Sequence, residues 1–224
     1  MKNNYLLCSV FIACASMSSA VNAASDQLYV GASYGVGISD KFHYDDGFAV
    51  KKPKDGQVFG LAFGYRFDNN VRTELAFNRF DDFKYTDTDT DTGNMGDHYY
   101  RQKINSTAVF ANIYYDVRKF EQVIPYANIG IGYSKNKAGN MNVRVVRPEG
   151  TQDTNVYQGK SKSQFAWNVG AGISYEVSKK FTLDLISYKY YNLGKFSTKQ
   201  DGVGDSIKDK LKIHSITAGF KINF

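Results

Sequence analysis

The sequence predicts an all-β protein in which eight antiparallel strands close into an up-and-down transmembrane β-barrel, with long external loops and short periplasmic turns. Eight segments alternate apolar residues with small or polar ones at a period of two, which gives each strand one apolar face. Long polar joins alternate with very short ones, as is typical of transmembrane barrels. The 17 Tyr and 16 Phe residues favour strands and can supply the aromatic girdles of such a barrel.

The eight predicted strands differ in how regular their alternation is. Residues 164–177 are the clearest, because Phe165 and Trp167 begin a row of apolar residues at every second position. Residues 181–191 are the least regular, since the alternation fades after Ile186, and a β-bulge fits this position. The predicted strands span residues 27–39, 59–67, 71–78, 106–117, 125–134, 164–177, 181–191 and 215–224.

The joins between these strands fall into two classes. Three are tight turns, at residues 68–70, 118–123 and 178–180. The other four are long and rich in Lys, Asp, Asn, Gly and Thr, and they cover residues 39–57, 84–104, 135–163 and 193–210. All long joins therefore fall at one rim of the barrel and all tight turns at the other.

A soluble barrel of the lipocalin type is the alternative, with its apolar face turned inward around a ligand. In this chain the face opposite the aromatic residues is rich in glycine. A soluble barrel would therefore be lined by bulky aromatics and covered by a surface that buries little. The pattern favours the membrane barrel, which should need detergent and migrate heat-modifiably on a gel.

The first 23 residues read as a secretory signal peptide, which leaves residues 24–224 as the barrel domain. Lys2 supplies the positive start, an apolar run follows, and Val21–Ala23 ends in a small-residue cleavage site. Both cysteines, Cys8 and Cys14, fall inside this segment, and lipid attachment at Cys14 remains an alternative. The mature chain would contain no thiol for a disulfide, a zinc site or a nucleophile. No cofactor is expected. The formal charge is +6 for the full sequence and +5 once Lys2 is removed with the signal peptide (27 basic residues minus 22 acidic ones), and so mild a charge on an exported chain does not favour nucleic acid.

Several strand-and-turn segments resemble the small eight-stranded outer-membrane barrels of Gram-negative bacteria. They are "GLAFGYRFDNNVRTELAF", "ANIYYDV", "PYANIGIGYS", "WNVGAGISYEVSKKFTLDL" and "ITAGFKINF". The nearest likeness is to opacity-type surface antigens and the putative adhesins of rickettsial cells. This resemblance implies a non-enzymatic, virulence-associated protein of the bacterial outer membrane that attaches to host cells through its external loops.

The resemblance also implies a set of partners and an assembly signal. The partners are outer-membrane lipid and lipopolysaccharide, the barrel-assembly machinery, and a protein or polysaccharide of the host-cell surface. In such barrels the machinery recognises the alternating apolar residues of the last strand, which end in a terminal Phe. The matching residues are Ile216, Ala218, Phe220, Ile222 and Phe224.

Charged residues also occur at positions that face the barrel interior. An eight-stranded barrel is just wide enough for its own side chains, so a paired network that plugs the lumen is favoured over an ion or proton path. A general diffusion pore is disfavoured for the same reason. The predicted network contains Arg66, Arg72, Glu74, Asp116, Glu176, Asp184 and Lys221.

No catalytic site is expected. Some lipid A deacylases of this shape use a His and a Ser on one face of a strand, whereas His214 and Ser215 are adjacent and point to opposite faces. His98 follows Asp97 as in an acidic-His pair of outer-membrane proteases, but those barrels have more strands than this chain supplies. The remaining histidine, His43, lies in a long loop.

The third long loop is the candidate partner-binding segment, because basic residues outnumber acidic ones there. Such a patch could hold lipopolysaccharide phosphate, acidic polysaccharide or an acidic protein surface, or it could simply keep a hairpin tip soluble. A structural envelope barrel that binds lipopolysaccharide and a narrow small-solute channel remain alternative functions. The basic residues are Lys135, Lys137, Arg144, Arg147, Lys160 and Lys162.

The second long loop contains "TDTDTDTG", residues Thr86 to Gly93, with aspartates at alternate positions. An EF-hand would need Gly at its sixth position and a carboxylate at its twelfth, and counting from Asp87 these positions hold Thr92 and His98. A looser calcium site built from these aspartates stays open. The alternating threonines favour an arm of a β-hairpin that rises above the membrane.

Overall fold

The computed structural model describes residues 27–40, 54–67, 69–90, 97–117, 120–147, 149–199 and 206–224. These residues form ten strands: β1 (Leu28–Ser39), β2 (Gly56–Arg66), β3 (Val71–Thr90), β4 (Asp97–Asp116), β5 (Val123–Ala138), β6 (Met141–Val146), β7 (Gln152–Gly159), β8 (Ser161–Ser178), β9 (Phe181–Lys199) and β10 (Ser206–Asn223). Among them, none forms a helix long and apolar enough to cross a membrane. The predicted signal peptide lies outside the described residues and stays a prediction.

Eight of the ten strands close into a barrel. Each pairs antiparallel with its neighbour in the order β1-β2-β3-β4-β5-β8-β9-β10, and β10 pairs back with β1, for example at Val30 and Ile222. The outward residues Ile129 and Tyr133 are 63% and 71% exposed, while Asn128, on the inward face, is 3% exposed. The predicted eight-stranded up-and-down barrel with an apolar outer wall is confirmed.

The third long join, predicted as a polar loop over residues 135–163, contains two further strands. Strands β6 and β7 form a hairpin whose β6 edge pairs with the upper part of β4, from Asp97 to Arg101. The end of β7 pairs with β9 at Thr198 and Lys199. Above the ends of β5 and β8, the hairpin therefore lies between β4 and β9. It extends the barrel wall beyond the membrane. Its inward residues Met141 and Val143 are buried, which explains why "MNVRVV" folds back onto the wall.

Strand β9 contains the bulge that its fading alternation indicated. Ile186 pairs with Ile173, and Asp184 pairs with Ser174, so Leu185 has no partner across β8. Leu185 and Ile186 are both about half exposed on the lipid-facing wall. One extra residue on this strand changes which positions face inward from there onward.

The lumen is divided into two layers of different chemistry. The periplasmic half holds polar and charged side chains, and the extracellular half holds an apolar cluster, which we call the apolar plug. Every residue of the plug is at most 3% exposed. It consists of Val58, Phe80, Phe83, Ile104, Ala108, Phe110, Ala138, Ala166, Tyr191, Leu193, Phe196, Leu211 and Ile213.

Candidate functional site

Arg72 is the centre of the polar layer in the lumen. It is 1% exposed, and its Nε donates to the Oδ1 of Asp116 over 2.9 Å. Its guanidinium lies 4.4 Å from the ring centroid of Tyr114. Glu74 accepts hydrogen bonds from the hydroxyls of Tyr29 and Tyr114, at 3.1 and 2.8 Å. Each of these buried charges therefore has a partner, which is the condition for keeping ions in a low-dielectric interior.

A second ion pair lies beside this centre. Lys221 pairs with Asp184, which also accepts a hydrogen bond from Ser174 over 2.5 Å. Lys189 reaches into the same layer and donates to the hydroxyl of Tyr114 over 2.7 Å. Sequence alternation missed Lys189, because the bulge at Leu185 shifts the inward positions of β9 by one residue.

The other two residues of the predicted lumen network lie nearer the short turns. Arg66 and Glu176 are half-buried. The Nε of Arg66 has no hydrogen-bond partner within the part of the chain that the structure describes. The predicted network also did not include the inward residues Tyr29 and Tyr114, although their hydroxyls donate the hydrogen bonds that hold Glu74 in place.

The lumen is closed above the polar layer. Tyr191 of the apolar plug packs against Phe80 and Phe110, with ring centroids 4.9 and 5.5 Å apart. A small cavity of about 40 Å³ lies in the polar layer, lined among others by Glu74, Tyr114 and Lys221. Within the described part of the barrel, no wide aqueous path crosses these packed rings, so the geometry argues against a channel.

The six basic residues predicted as a partner-binding patch do not form one cluster. Lys135 and Lys137 are exposed on β5, and Arg144 is exposed on β6. Arg147, beyond the end of β6, forms an ion pair with Asp153 over 2.6 Å. Lys160, just before β8, and Lys162, within it, are exposed, and Lys162 pairs with Asn136 rather than with an outward residue of β5.

The structure adds cations from β3 and β4 that the loop-based prediction missed. Lys84 lies directly across from Lys103, and Arg101 lies across from Asn142 of the hairpin. The guanidinium of Arg144 lies 5.0 Å from the ring centroid of Tyr99, its partner across β4 and β6. Lys84, Arg101 and Lys103 all lie in the predicted join over residues 84–104, and the pairing of β3 with β4 and of β4 with β6 brings them onto one wall.

His214 forms a hydrogen-bonded chain on the outer wall. Its Nδ1 lies 2.6 Å from the hydroxyl of Tyr188, and its Nε2 lies 3.0 Å from Oδ1 of Asp40. A carboxylate can only accept, so in neutral His214 Nε2 donates to Asp40 and Nδ1 accepts from Tyr188. Ser215 is buried on the opposite face, so its hydroxyl lies away from these hydrogen-bonded groups. The contact joins β9 and β10 to the end of β1.

The stretch "TDTDTDTG" begins within a strand. Thr86–Thr90 belongs to β3, and the backbone of Asp87 pairs with Tyr100 while that of Asp89 pairs with His98. The predicted hairpin arm is thereby confirmed up to Thr90, and Asp91 to Gly93 lie outside the described residues. Within the described residues, no group of three or more His, Cys, Asp or Glu could hold a metal ion.

We expect EDTA to leave the melting temperature of the purified protein unchanged, because an extended strand spreads alternate residues along a line instead of around an ion. The measurement is thermal unfolding in detergent with EDTA and with added calcium. A fall in melting temperature with EDTA that calcium reverses would show that the looser calcium site exists.

Comparison with known proteins identifies the family of this barrel. Residues 7–224 match the family model described as an outer membrane protein beta-barrel domain. The outer membrane protein PagN of Salmonella typhimurium is 29% identical over 224 residues, covering 92% of this chain and 90% of PagN.

Two solved structures share the fold. Neisserial surface protein A has a TM-score of 0.54 and 19% identity, with 91% of this chain and all (100%) of that chain covered. A major outer membrane protein from Thermus thermophilus has a TM-score of 0.51 and 10% identity, with 88% and 99% covered. The chain thus belongs to the outer-membrane β-barrel protein family, and its location is the bacterial outer membrane.

Proposed function

We propose that this protein is a non-enzymatic adhesin whose barrel anchors a rigid extracellular wall, and that this wall attaches the bacterium to anionic polymers on a host-cell surface. The observation that carries the proposal is the pairing of Arg144 with Tyr99 on a hairpin that the barrel holds above the membrane. Binding residues on a rigid scaffold lose little conformational freedom when a partner binds.

Arg101 and Arg144 share the outward face of this wall. Arg144 is opposite Tyr99, and Arg101 is two residues further along β4, opposite Asn142. Adjacent strands are about 4.8 Å apart and alternate residues about 7 Å apart, so the two guanidinium groups lie within reach of one extended ligand. Both side chains are exposed, and no ion pair to either occurs among the described residues.

The chemistry of this face fits an acidic polysaccharide. A guanidinium group that stacks on an aromatic ring keeps its N–H edge available, and that edge binds carboxylate or sulfate groups in a bidentate manner. The sheet offers an extended surface, which suits a linear polyanion better than a compact ligand. The attachment experiment distinguishes an acidic polysaccharide from an acidic protein on the host cell as the ligand.

The double substitution R101Q/R144Q should lower the number of attached bacteria by about tenfold, since two charge-assisted contacts of about 1 kcal/mol or more would be lost. Attachment is measured with expressing and non-expressing bacteria on host cells over a range of salt concentrations. Soluble heparin and hyaluronate serve as competing probes. Wild-type attachment should weaken as salt rises.

The control is K160Q/K162Q, which removes the same charge from exposed positions just before and within β8. Equal attachment by R101Q/R144Q and wild type would contradict the proposal. So would an equally large loss in the control, because it would indicate a general charge effect. If neither polysaccharide competes and protease treatment of the host cells abolishes attachment, the partner is a protein.

A further inference from the structure

The hydrogen-bonded chain of Tyr188, His214 and Asp40 on the outer wall has the geometry of a proton relay. The hydroxyl of Tyr188 donates to Nδ1 of His214 over 2.6 Å, and Nε2 of His214 donates to Oδ1 of Asp40 over 3.0 Å. An imidazole held by a carboxylate is the arrangement that activates a weakly acidic hydroxyl group. In this chain it prepares the Tyr188 oxygen to act as an anionic ligand, because His214 can accept the phenolic proton.

The three side chains are accessible from outside the barrel. Tyr188 is 45% exposed, and the side chains of His214 and Asp40 are 36% and 39% exposed. Both ring nitrogens of His214 are engaged in hydrogen bonds, so neither can bind a metal without breaking one. The oxygen of Tyr188 donates its proton and keeps its lone pairs. It is therefore the available metal ligand of this chain of groups.

Further aromatic rings lie beside this oxygen. The ring centroid of Tyr190 is 5.0 Å from that of His214, and the centroid of Trp167 is 5.5 Å from that of Tyr190. Together the rings form a broad apolar surface next to a single ionisable oxygen. We call Trp167, Tyr188, Tyr190, His214 and Asp40 the aromatic relay site.

The aromatic relay site lies where the outer wall changes from apolar to polar. On the periplasmic side of His214, the outward residues of β10 include Ile216 and Phe220, both exposed to lipid. On the extracellular side the next outward residue is Lys212, which is partly exposed and opposite Asn192 of β9. Aromatic residues concentrate at this boundary in membrane barrels. A ligand bound here meets hydrocarbon on one side and a cation on the other, which suits a flat amphiphile with acidic groups along one edge.

We propose that the aromatic relay site binds a ferric porphyrin, with the Tyr188 oxygen as the axial ligand of the iron. Bare ferric iron would need several protein ligands, and the described residues contain no group of three or more His, Cys, Asp or Glu that could hold it. A porphyrin supplies four nitrogen ligands itself and requires only an axial one, a role that a tyrosine oxygen fills in some haem proteins. Its ring can pack on Tyr190 and Trp167, and its carboxylates can reach Lys212.

Ligation is a proton transfer coupled to bond formation, and the iron stays ferric throughout. The O–H bond of Tyr188 breaks as the bond from its oxygen to iron forms. The proton passes to Nδ1 of His214, and the carboxylate of Asp40 stabilises the resulting imidazolium. The site goes beyond the proposed attachment function, because it lies at the membrane boundary and uses neither Arg101 nor Arg144.

The experiment measures binding of ferric protoporphyrin IX and of metal-free protoporphyrin IX to the purified full-length protein, folded in neutral detergent, with protein-free detergent as the blank. Y188F should weaken binding of the ferric porphyrin by about tenfold or more and abolish the phenolate-to-iron charge-transfer absorption. It should bind metal-free porphyrin as the wild type does, because the apolar surface remains. H214Q should weaken ferric binding and shift that absorption band, since the phenolate loses its charged hydrogen-bond donor.

The matched control is Y133F, because Tyr133 is another outward tyrosine, 71% exposed, that packs against Phe165. It should retain the affinity for ferric porphyrin within about twofold, and so should R101Q/R144Q, so that this proposal and the attachment proposal can fail separately. Heat-modifiable migration reports that each variant is folded. Equal affinity of the wild type for ferric and metal-free porphyrin would overturn the proposal, since it would indicate partition onto an apolar surface alone. A ferric spectrum that Y188F leaves unchanged would also overturn it, because the axial ligand would then be another group.

Discussion

Replacing Arg72 by alanine is expected to lower the free energy of unfolding by about 3–5 kcal/mol, the usual effect of breaking a buried ion pair from one side. Arg72 is fully enclosed and donates to Asp116 at 2.9 Å. Its removal leaves that carboxylate buried without its cation, and it also removes the cation stacked on Tyr114. The measurement is urea-induced unfolding in lipid vesicles, followed by heat-modifiable migration.

Arg79 provides a matched control in the same strand. It forms an ion pair with Asp81 at 2.5 Å, but its side chain is 59% exposed, so R79A should cost no more than about 1 kcal/mol. The double variant R72A/D116A should be more stable than R72A, because it no longer leaves a buried charge unpaired. Equal losses in R72A and R79A would show that the lumen is hydrated enough to solvate Asp116.

Substituting Phe224 by serine is expected to reduce the amount of folded protein in the outer membrane by about tenfold or more. This follows from the proposed role of the last strand as the barrel-assembly signal. Phe224 is 37% exposed on the outer wall, and its backbone N–H donates to Leu28 at the seam where β10 meets β1. Folded and unfolded protein in outer-membrane fractions are quantified by gel migration without and with heating.

The control is Phe67, another outward Phe at the periplasmic rim, which is 43% exposed. F67S loses a similar lipid contact and the edge-on packing of Phe67 against Tyr65, at 4.7 Å, but leaves the last strand intact. It should assemble at a level close to that of wild type. F224S should nevertheless refold from urea in detergent, because the signal acts on the machinery and not on stability. Equal assembly of F224S and F67S would contradict the proposed role of Phe224 in the barrel-assembly signal.

Period-two alternation was enough to predict the barrel strands because the outer wall faces lipid. Each lipid-facing position must be apolar, while the glycines and polar residues fill a narrow lumen. The row from Phe165 to Val177 on β8 and the row ending at Phe224 on β10 are exposed along most of their length. The inward positions of Arg72, Glu74 and Asp116 could be read from the same alternation.

Alternation failed where the wall no longer touches lipid. Above the membrane the outward residues are polar, so period-two alternation does not predict the hairpin of β6 and β7, although Met141 and Val143 are buried inward. Beyond the bulge of β9 the inward positions shift, which hid Lys189. A local pattern reports which face a side chain occupies, but it cannot report a register shift that the neighbouring strand imposes.

The grouping of the basic residues shows the same limit. Sequence proximity joined Lys135, Lys137 and Arg144 into one loop. The strand register instead places the two lysines opposite Thr107 and Asn105 of β4, and it places Arg144 beside Tyr99 on the hairpin. Lys84 and Lys103, far from that loop in sequence, are opposite each other on the same wall.

The sequence by itself determined that this chain is an eight-stranded outer-membrane barrel, because lipid on one face and a narrow interior on the other constrain every second residue. Only the tertiary structure decided which charges meet, how the extracellular wall is built and where the lumen is closed. The physical reason is that ion pairs, plug contacts and cationic surfaces depend on register between strands distant in sequence, and a single misplaced residue changes every partner that follows it.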